Sequence, residues 1–129
     1  MSKTISLKNS QEFDVVYKNG NSFANKYLVM YVYNNGMTSN RLGISVSKRV
    51  GNSVIRHRIT RLIREAYRLN GYMFNSGLDI VVIARAGARD KNYRIVCDAV
   101  MHLARLHKII NIENSNHEKD INSTDKNIS

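Results

Sequence analysis

Apolar positions recur along this chain with distinct periods, and each period predicts an element. Phe13, Val16 and Tyr17 follow i, i+3, i+4 spacing, the stripe of an amphipathic helix over about 11–19. Ser10 stands where an N-cap belongs, and Gly20 where a C′ glycine would end the helix. Residues 22–33 then read as a strand, with Leu28, Met30 and Val32 on one face and Tyr27, Val29, Tyr31 and Tyr33 on the other. This first long strand has the option of breaking in two. Asn34–Asn40 is loop-like throughout, with an Asn35-Gly36 turn. Residues 41–47 alternate, Leu42, Ile44 and Val46 inward and Arg41, Gly43, Ser45 and Ser47 outward, so the two strands are expected to pair as an antiparallel hairpin.

The period changes to 3.6 over about 53–69. Ile55, Ile59, Leu62, Ile63 and Ala66 fill an arc of about 100°. Arg56, His57, Arg61, Arg64 and Arg68 oppose it, with Arg58 just beyond, and Asn70-Gly71 is a plausible C-cap. Residues 78–84, LDIVVIA, are nearly continuous in apolar character, as in a strand buried on both faces. Asp90 or Asn92 starts a last helix with a wide face of Ile95, Ala99, Leu103, Leu106 and Ile110. Strand, helix and strand across 41–84 imply a parallel pair joined by a crossover helix. The predicted fold is an α+β two-layer sandwich, α-β-β-(β)-α-β-α, with one mixed sheet.

Length places these elements in a single domain, and charge adds a partner. The chain has 129 residues and a net charge of +10, an excess that points to a polyanion, nucleic acid before membrane. The longest apolar run, Tyr27–Tyr33, is far too short to span a bilayer, and the N-terminus lacks a signal-type apolar stretch. Cys97 is the only cysteine, so no internal disulfide or cysteine-based zinc site is expected, and the cytoplasm is the default compartment. Residues 1–110 are expected to form one RNA-binding domain. Residues 111–129, rich in Asn, Ser and charge and net acidic, read as a disordered tail.

Within the body the charge is concentrated. Residues 41–68 hold eight Lys and Arg against the single acid Glu65. A solvated helix face is the ordinary explanation of a charge run, but one acid cannot pair eight bases. Guanidinium groups bind phosphate oxygens bidentately and hydrogen-bond base edges, and Asn52 with the helix N-terminus offers further donors. Phe13 and Tyr17 with Tyr27, Tyr31 and Tyr33 form an aromatic set. Such rings either stack unpaired bases or simply dock the first helix on the sheet. Catalytic signals are weak: His102 and His107 are five apart, and the acids Glu12, Asp14, Glu65, Asp79, Asp90 and Asp98 are scattered over the elements. No catalytic or metal-ligating residue is assigned.

The segment RLGISVSKRVGNSVIRHRITRLIREAYR, residues 41–68, strongly resembles the signature of the bacterial ribonuclease P protein family. The similarity continues on both sides, through LKNSQEFDVVYKNGNSFANKYLVMYV, GLDIVVIARAGA and 92–110. The resemblance implies a holoenzyme in which a catalytic RNA, bound 1:1, removes the 5′ leader of precursor tRNA using Mg²⁺ held mainly by the RNA. It implies that Lys48, Arg49, Asn52, Arg56, His57, Arg58, Arg61, Arg64 and Arg68 bind that RNA. It implies a leader cleft at Phe13, Tyr17, Ser22, Tyr31, Ser45 and Ser47, and a left-handed β-α-β crossover against the usual hand. No membrane or small-molecule substrate is implied. His57, Thr60 and Ala86 depart from the family pattern, which usually has Asn, a basic residue and Pro there.

Other functions compete with this one. A ribosomal-type protein would bind a structured RNA through the same face without stimulating cleavage. A nuclease acting alone would need a carboxylate cluster that the sequence does not show. A helix-turn-helix DNA regulator is disfavoured, because a strand intervenes between successive helices.

Overall fold

The computed structural model describes residues 4–111. Its elements are β1 (Ile5–Ser6), α1 (Ser10–Asn19), β2 (Asn21–Ala24), β3 (Leu28–Asn34), β4 (Arg41–Ser45), α2 (Ser53–Asn70), β5 (Leu78–Ala84) and α3 (Tyr93–Leu106). The strands form one mixed sheet in the order β1-β4-β5-β3-β2. β5 runs parallel to β4 and antiparallel to β3, so β4-α2-β5 is the expected parallel pair with its crossover helix.

The helix ends follow from short polar side chains. Asn9, rather than Ser10, caps α1: its side chain accepts from Glu12 N–H, and the Glu12 carboxylate accepts from Asn9 N–H in return, a capping box. Asn52 caps α2 and Asn92 caps α3, each accepting from the backbone three residues on. Gly20 is not the left-handed C′ residue expected from sequence, since it is extended (φ −85°). It is small for another reason: a Cβ there would meet carbonyl oxygens of Val16 and Val32 at 2.7 and 2.8 Å. Gly71 is helical (φ −63°) and leads into a 3₁₀ turn, Gly71–Met73, instead of ending α2 in a left-handed cap.

The expected hairpin between 22–33 and 41–47 does not form. Residues 22–33 themselves fold into a hairpin, because the Asn25 Oδ1 accepts from the N–H groups of both Tyr27 and Leu28 and turns the chain. β5 then lies between β3 and β4. A strand buried on both faces gains most from pairing along both edges, which places it at the centre. The loop after β3 is stitched accordingly: Asn35 N–H donates to the Gly77 carbonyl, and Asn40 Oδ1 accepts from Leu78 N–H. β1, a two-residue strand parallel to β4, has no counterpart in the sequence-based prediction.

The two-layer body consists of this sheet with α2 and α3. Leu28, Met30, Leu42, Ile80 and Val82 from the sheet pack with Ile59, Ile63 and Ala66 of α2 and Val96, Val100 and Leu103 of α3. Full burial of each such Val, Leu, Ile or Met side chain favours folding by about 1.5–3 kcal/mol. α1 lies on the opposite face, where Val16 is buried with Leu7 and Val81 and only part of the sheet is covered. That partial cover leaves room for a groove.

Candidate nucleic-acid interface

Strand register builds the groove floor. Ser22, Tyr31, Val81 and Gly43 form one row across β2, β3, β5 and β4; Ala24, Val29, Ile83 and Ser45 form the next. Phe13 and Tyr17 of α1 stand over this face beside Tyr31, Tyr33 and Ile83, all only partly buried. Gly43 admits the Phe13 ring, since a Cβ at that position would lie 2.7 Å from Phe13 Cζ. Tyr17 meets Tyr31 edge-on with centroids 5.0 Å apart, and Phe13 lies 6.3 Å from Tyr17. Burial pushes the Tyr17 phenol above its ordinary pKa, and its hydrogen bond with Ser45 opposes the rise. The result is an aromatic wall above a floor edged by the Ser22 and Ser45 hydroxyls, with Ser47 exposed just beyond. Ring faces stack unpaired bases, and hydroxyls hydrogen-bond sugar and phosphate.

Tyr27 does not join this aromatic set. The Asn25 turn takes it out of β3, and it packs against the other core instead. Tyr33 joins Phe13, Tyr17 and Tyr31 in the expected aromatic set, while Val29, Gly43, Val81 and Ile83 belong to the groove although sequence reasoning did not select them. Gly43 carried a readable signal, being a glycine at an outward position of an otherwise alternating strand. The apolar floor residues had none, because core strands look the same.

The basic set begins where the groove ends. Three residues separate Ser45 from Arg49, and the turn that follows Ser47 is fixed by buried Val50, whose N–H donates to the Ser47 carbonyl at 3.0 Å. Lys48 and Arg49 are exposed on it. Asn52 Oδ1 is spent on capping α2, which leaves its amide nitrogen as the group for a ligand. Arg56 Nε is held by the Gly51 carbonyl at 3.2 Å, and Arg58 Nη2 by the Lys91 carbonyl at 2.6 Å. Both keep their charge uncompensated. Lys48, Arg49, His57, Arg61 and Arg64 are exposed and make no hydrogen bond or ion pair among the described residues.

Two members of the basic run differ. Arg68 forms a two-point ion pair with Glu65 at 2.9 and 2.8 Å, which lowers the Glu65 pKa. Arg41 points away from the outer surface into an ion pair with Asp79 and Glu12. The acids are largely committed in this way. Glu12 and Asp79 face Arg41, Glu65 faces Arg68 and Asp90 faces Lys91, while Asp14 and Asp98 lie on different helices. Among the described residues no three His, Cys, Asp or Glu side chains converge as metal ligands. His102 and His107 are engaged with Asn25 and the Met30 carbonyl. No described helix is long and apolar enough to cross a membrane.

Comparison with known proteins is consistent along nearly the whole described chain. A family model for ribonuclease P matches residues 1–108. The ribonuclease P protein component of Lachnoclostridium phytofermentans is 71% identical over 105 residues, covering 81% of this chain and 90% of the relative. That of Clostridioides difficile is 45% identical over 104 residues, covering 80% and 91%. The solved structure of the Staphylococcus aureus RNase P protein superposes with a TM-score of 0.77 at 37% identity, covering 84% of this chain and all of that one. The RNase P protein from Thermotoga maritima gives 0.72 at 31% identity, covering 78% and 96%.

Proposed function

The chain belongs to the ribonuclease P protein family and is the protein subunit of that tRNA-processing enzyme, and from this premise we propose how its surfaces divide the work. The basic face of α2 and its approach turn dock one catalytic RNA, through Lys48, Arg49, Asn52, Arg56, His57, Arg58, Arg61, Arg64 and, after exchange from Glu65, Arg68. The groove between α1 and the sheet holds the extended 5′ leader of precursor tRNA through Phe13, Tyr17, Ser22, Tyr31, Ser45 and Ser47. The observation that carries this reading is the continuity of the two surfaces. The groove strand β4 leads straight into the turn that carries Lys48 and Arg49 and on to α2, and Lys48, Arg49, His57, Arg61 and Arg64 make no hydrogen bond or ion pair among the described residues.

The protein supplies binding rather than bond cleavage. Its carboxylates do not suit Mg²⁺, because four of the six in the body are already ion-paired. The reading therefore assigns the metal and the hydrolytic chemistry to the RNA. What the protein's own residues do is lower phosphate–phosphate repulsion between catalytic RNA and substrate and fix the leader by stacking. A ribosomal-type binding role has no specific observation in its favour.

Comparing precursor and mature tRNA tests the division. In the holoenzyme, Tyr17→Ala should weaken precursor binding by roughly five- to a hundredfold, the loss of about one stacked base, and leave mature tRNA unchanged. Equal weakening of both would remove the leader from the groove.

A further inference from the structure

The arginine face of α2 has a basic neighbour that neither proposed surface includes. Residues 89–94, between β5 and the first turn of α3, carry Arg89, Lys91 and Arg94 against the single acid Asp90. Arg89 and Arg94 are exposed, and their side chains make no hydrogen bond or ion pair among the described residues. Asp90 pairs with Lys91 at 3.1 Å and sits in the field of Arg89. Arg85 does not belong with them, since its Nη1 donates to the Asn25 carbonyl at 2.8 Å, at the β2–β3 turn.

Packing sets this segment beside α2. Arg58 Nη2 donates to the Lys91 carbonyl at 2.6 Å, Tyr93 lies in the fields of Glu65 and Arg68, and Asn70 Nδ2 donates to Cys97 Sγ at 3.3 Å. These contacts advance together along α2 and the start of α3, so Arg89 and Arg94 flank the residues that touch the α2 stripe. Packed helices keep their axes about 8–10 Å apart. Two exposed basic rows result, one on α2 and one at the start of α3, with Arg58 bridging them.

Gathering like charges raises the energy of a folded chain. Glu65 and Asp90, the acids of these two segments, each hold a base already, which leaves Arg58, Arg61, Arg64, Arg89 and Arg94 uncompensated. A polyanion offsets that cost. The second row also offers no exposed ring, because Tyr93 is half-buried beside Cys97. Cations without rings suit the phosphates of paired strands, whereas unpaired strands take rings such as those of the leader groove.

We propose that Arg89 and Arg94 form a second row of phosphate contacts, and that α2 and the start of α3 together hold a helical segment of the catalytic RNA, one strand on each row. This rests on the assignment of the α2 face to that RNA and extends it to a duplex, recognised through its two backbones rather than its sequence.

Anisotropy titration of the full chain with the catalytic RNA, over a salt series, tests the second row. Arg89→Ala and Arg94→Ala should each remove roughly 0.7–0.9 from the log–log salt slope, the release of about one counterion, and leave the urea midpoint nearly unchanged. Arg105→Ala is the control. It removes the same charge about 16–17 Å further along α3 and should leave the slope as it is. A loss at Arg105 equal to that at Arg94 would reduce the effect to net charge and overturn the proposal. So would an unchanged slope for Arg89→Ala and Arg94→Ala while Arg61→Ala and Arg64→Ala lose theirs, a result that leaves the α2 assignment standing. Unchanged slopes for all four would overturn both.

Two model RNAs test the paired strands: a hairpin with a stem of about 16 base pairs, and an unstructured single strand with the same number of nucleotides. Arg89→Ala/Arg94→Ala should weaken hairpin binding roughly ten- to sixtyfold near 0.1 M salt, two counterions' worth, and hardly affect the single strand. Equal weakening of both RNAs would contradict a duplex across the two rows.

Discussion

Arg41 and Asp79 face each other across the parallel strands β4 and β5, joined by hydrogen bonds of 2.9 Å from Nε and 2.7 Å from Nη2. Asp79 is 1% exposed, and Asn35 Nδ2 donates to it as well, at 2.8 Å. Arg41 reaches on to Glu12 of α1 at 3.1 Å. One guanidinium thus ties α1, β4 and β5 together. It begins the most basic segment of the chain and yet is structural, held protonated chiefly by its hydrogen bonds to Asp79.

Removing that guanidinium should cost stability and spare RNA electrostatics. Arg41→Met strands a buried carboxylate with only the Asn35 amide, a change of about 3–5 kcal/mol. Urea denaturation should show this loss. The salt dependence of RNA binding by the folded fraction should match the unaltered protein; a shallower dependence would make Arg41 a phosphate contact.

Arg61 and Arg64 should behave in the opposite way. Each carries an uncompensated charge on an exposed face, so replacing either with Ala should leave the urea midpoint nearly unchanged. Binding of the catalytic RNA should lose roughly 0.7–0.9 from its log–log salt slope per residue, the release of about one counterion. Fluorescence anisotropy across a salt series measures it. Arg68→Ala should have a smaller effect, because Glu65 already occupies that side chain.

Gly43 sets the depth of the groove. Gly43→Ala places a methyl group where the Phe13 ring lies, so the ring must move and the floor closes. Overpacking of this kind costs about 1–3 kcal/mol. Affinity for precursor tRNA should fall toward that for mature tRNA, while affinity for the catalytic RNA alone should hold. Unchanged precursor affinity would place the leader elsewhere.

His107 gives the fold a defined response to acid. Its Nε2–H donates to the Met30 carbonyl at 2.8 Å, and Phe23 meets the ring edge-on at 4.8 Å. Burial lowers its pKa below the ordinary 6.5, and the hydrogen bond opposes that shift. The unfolded chain therefore binds a proton more readily than the native protein does. This contribution to stability is complete above pH 6.5 and is lost as the pH falls through and below it. Urea midpoints should drop between about pH 7 and 5.5, and His107→Gln should flatten that part of the profile. A midpoint that rose on acidification would contradict the sign.

Much of this architecture was legible in the sequence where one element decides its own form. The arginine face of α2 and the buried strand β5 both follow from periodicity alone, and their observed bounds agree within a residue. The parallel pairing of β4 with β5 followed from the crossover helix between them, but the partner of β3 was not legible, since whether β3 pairs with β4 or β5 depends on the whole sheet. Asn25 carried the turn that splits residues 22–33, but a single asparagine without a neighbouring Gly or Pro does not announce an Asx turn. The groove was half legible: Phe13 and Tyr17 followed helical spacing, which core residues do too, and only the resemblance favoured a binding role. Charge counting went astray at Arg41, whose partner Asp79 is 38 positions away.

The central claim, that this protein supplies binding to an RNA that performs the cleavage, is tested most directly by single-turnover cleavage of precursor tRNA by the catalytic RNA over a Mg²⁺ series, with and without the protein. The protein should shift the Mg²⁺ requirement to lower concentration, with Lys48→Ala/Arg49→Ala/Arg61→Ala/Arg64→Ala losing most of the shift, and protein alone should cleave nothing. An unchanged Mg²⁺ profile, or cleavage by the protein without RNA, would contradict the account.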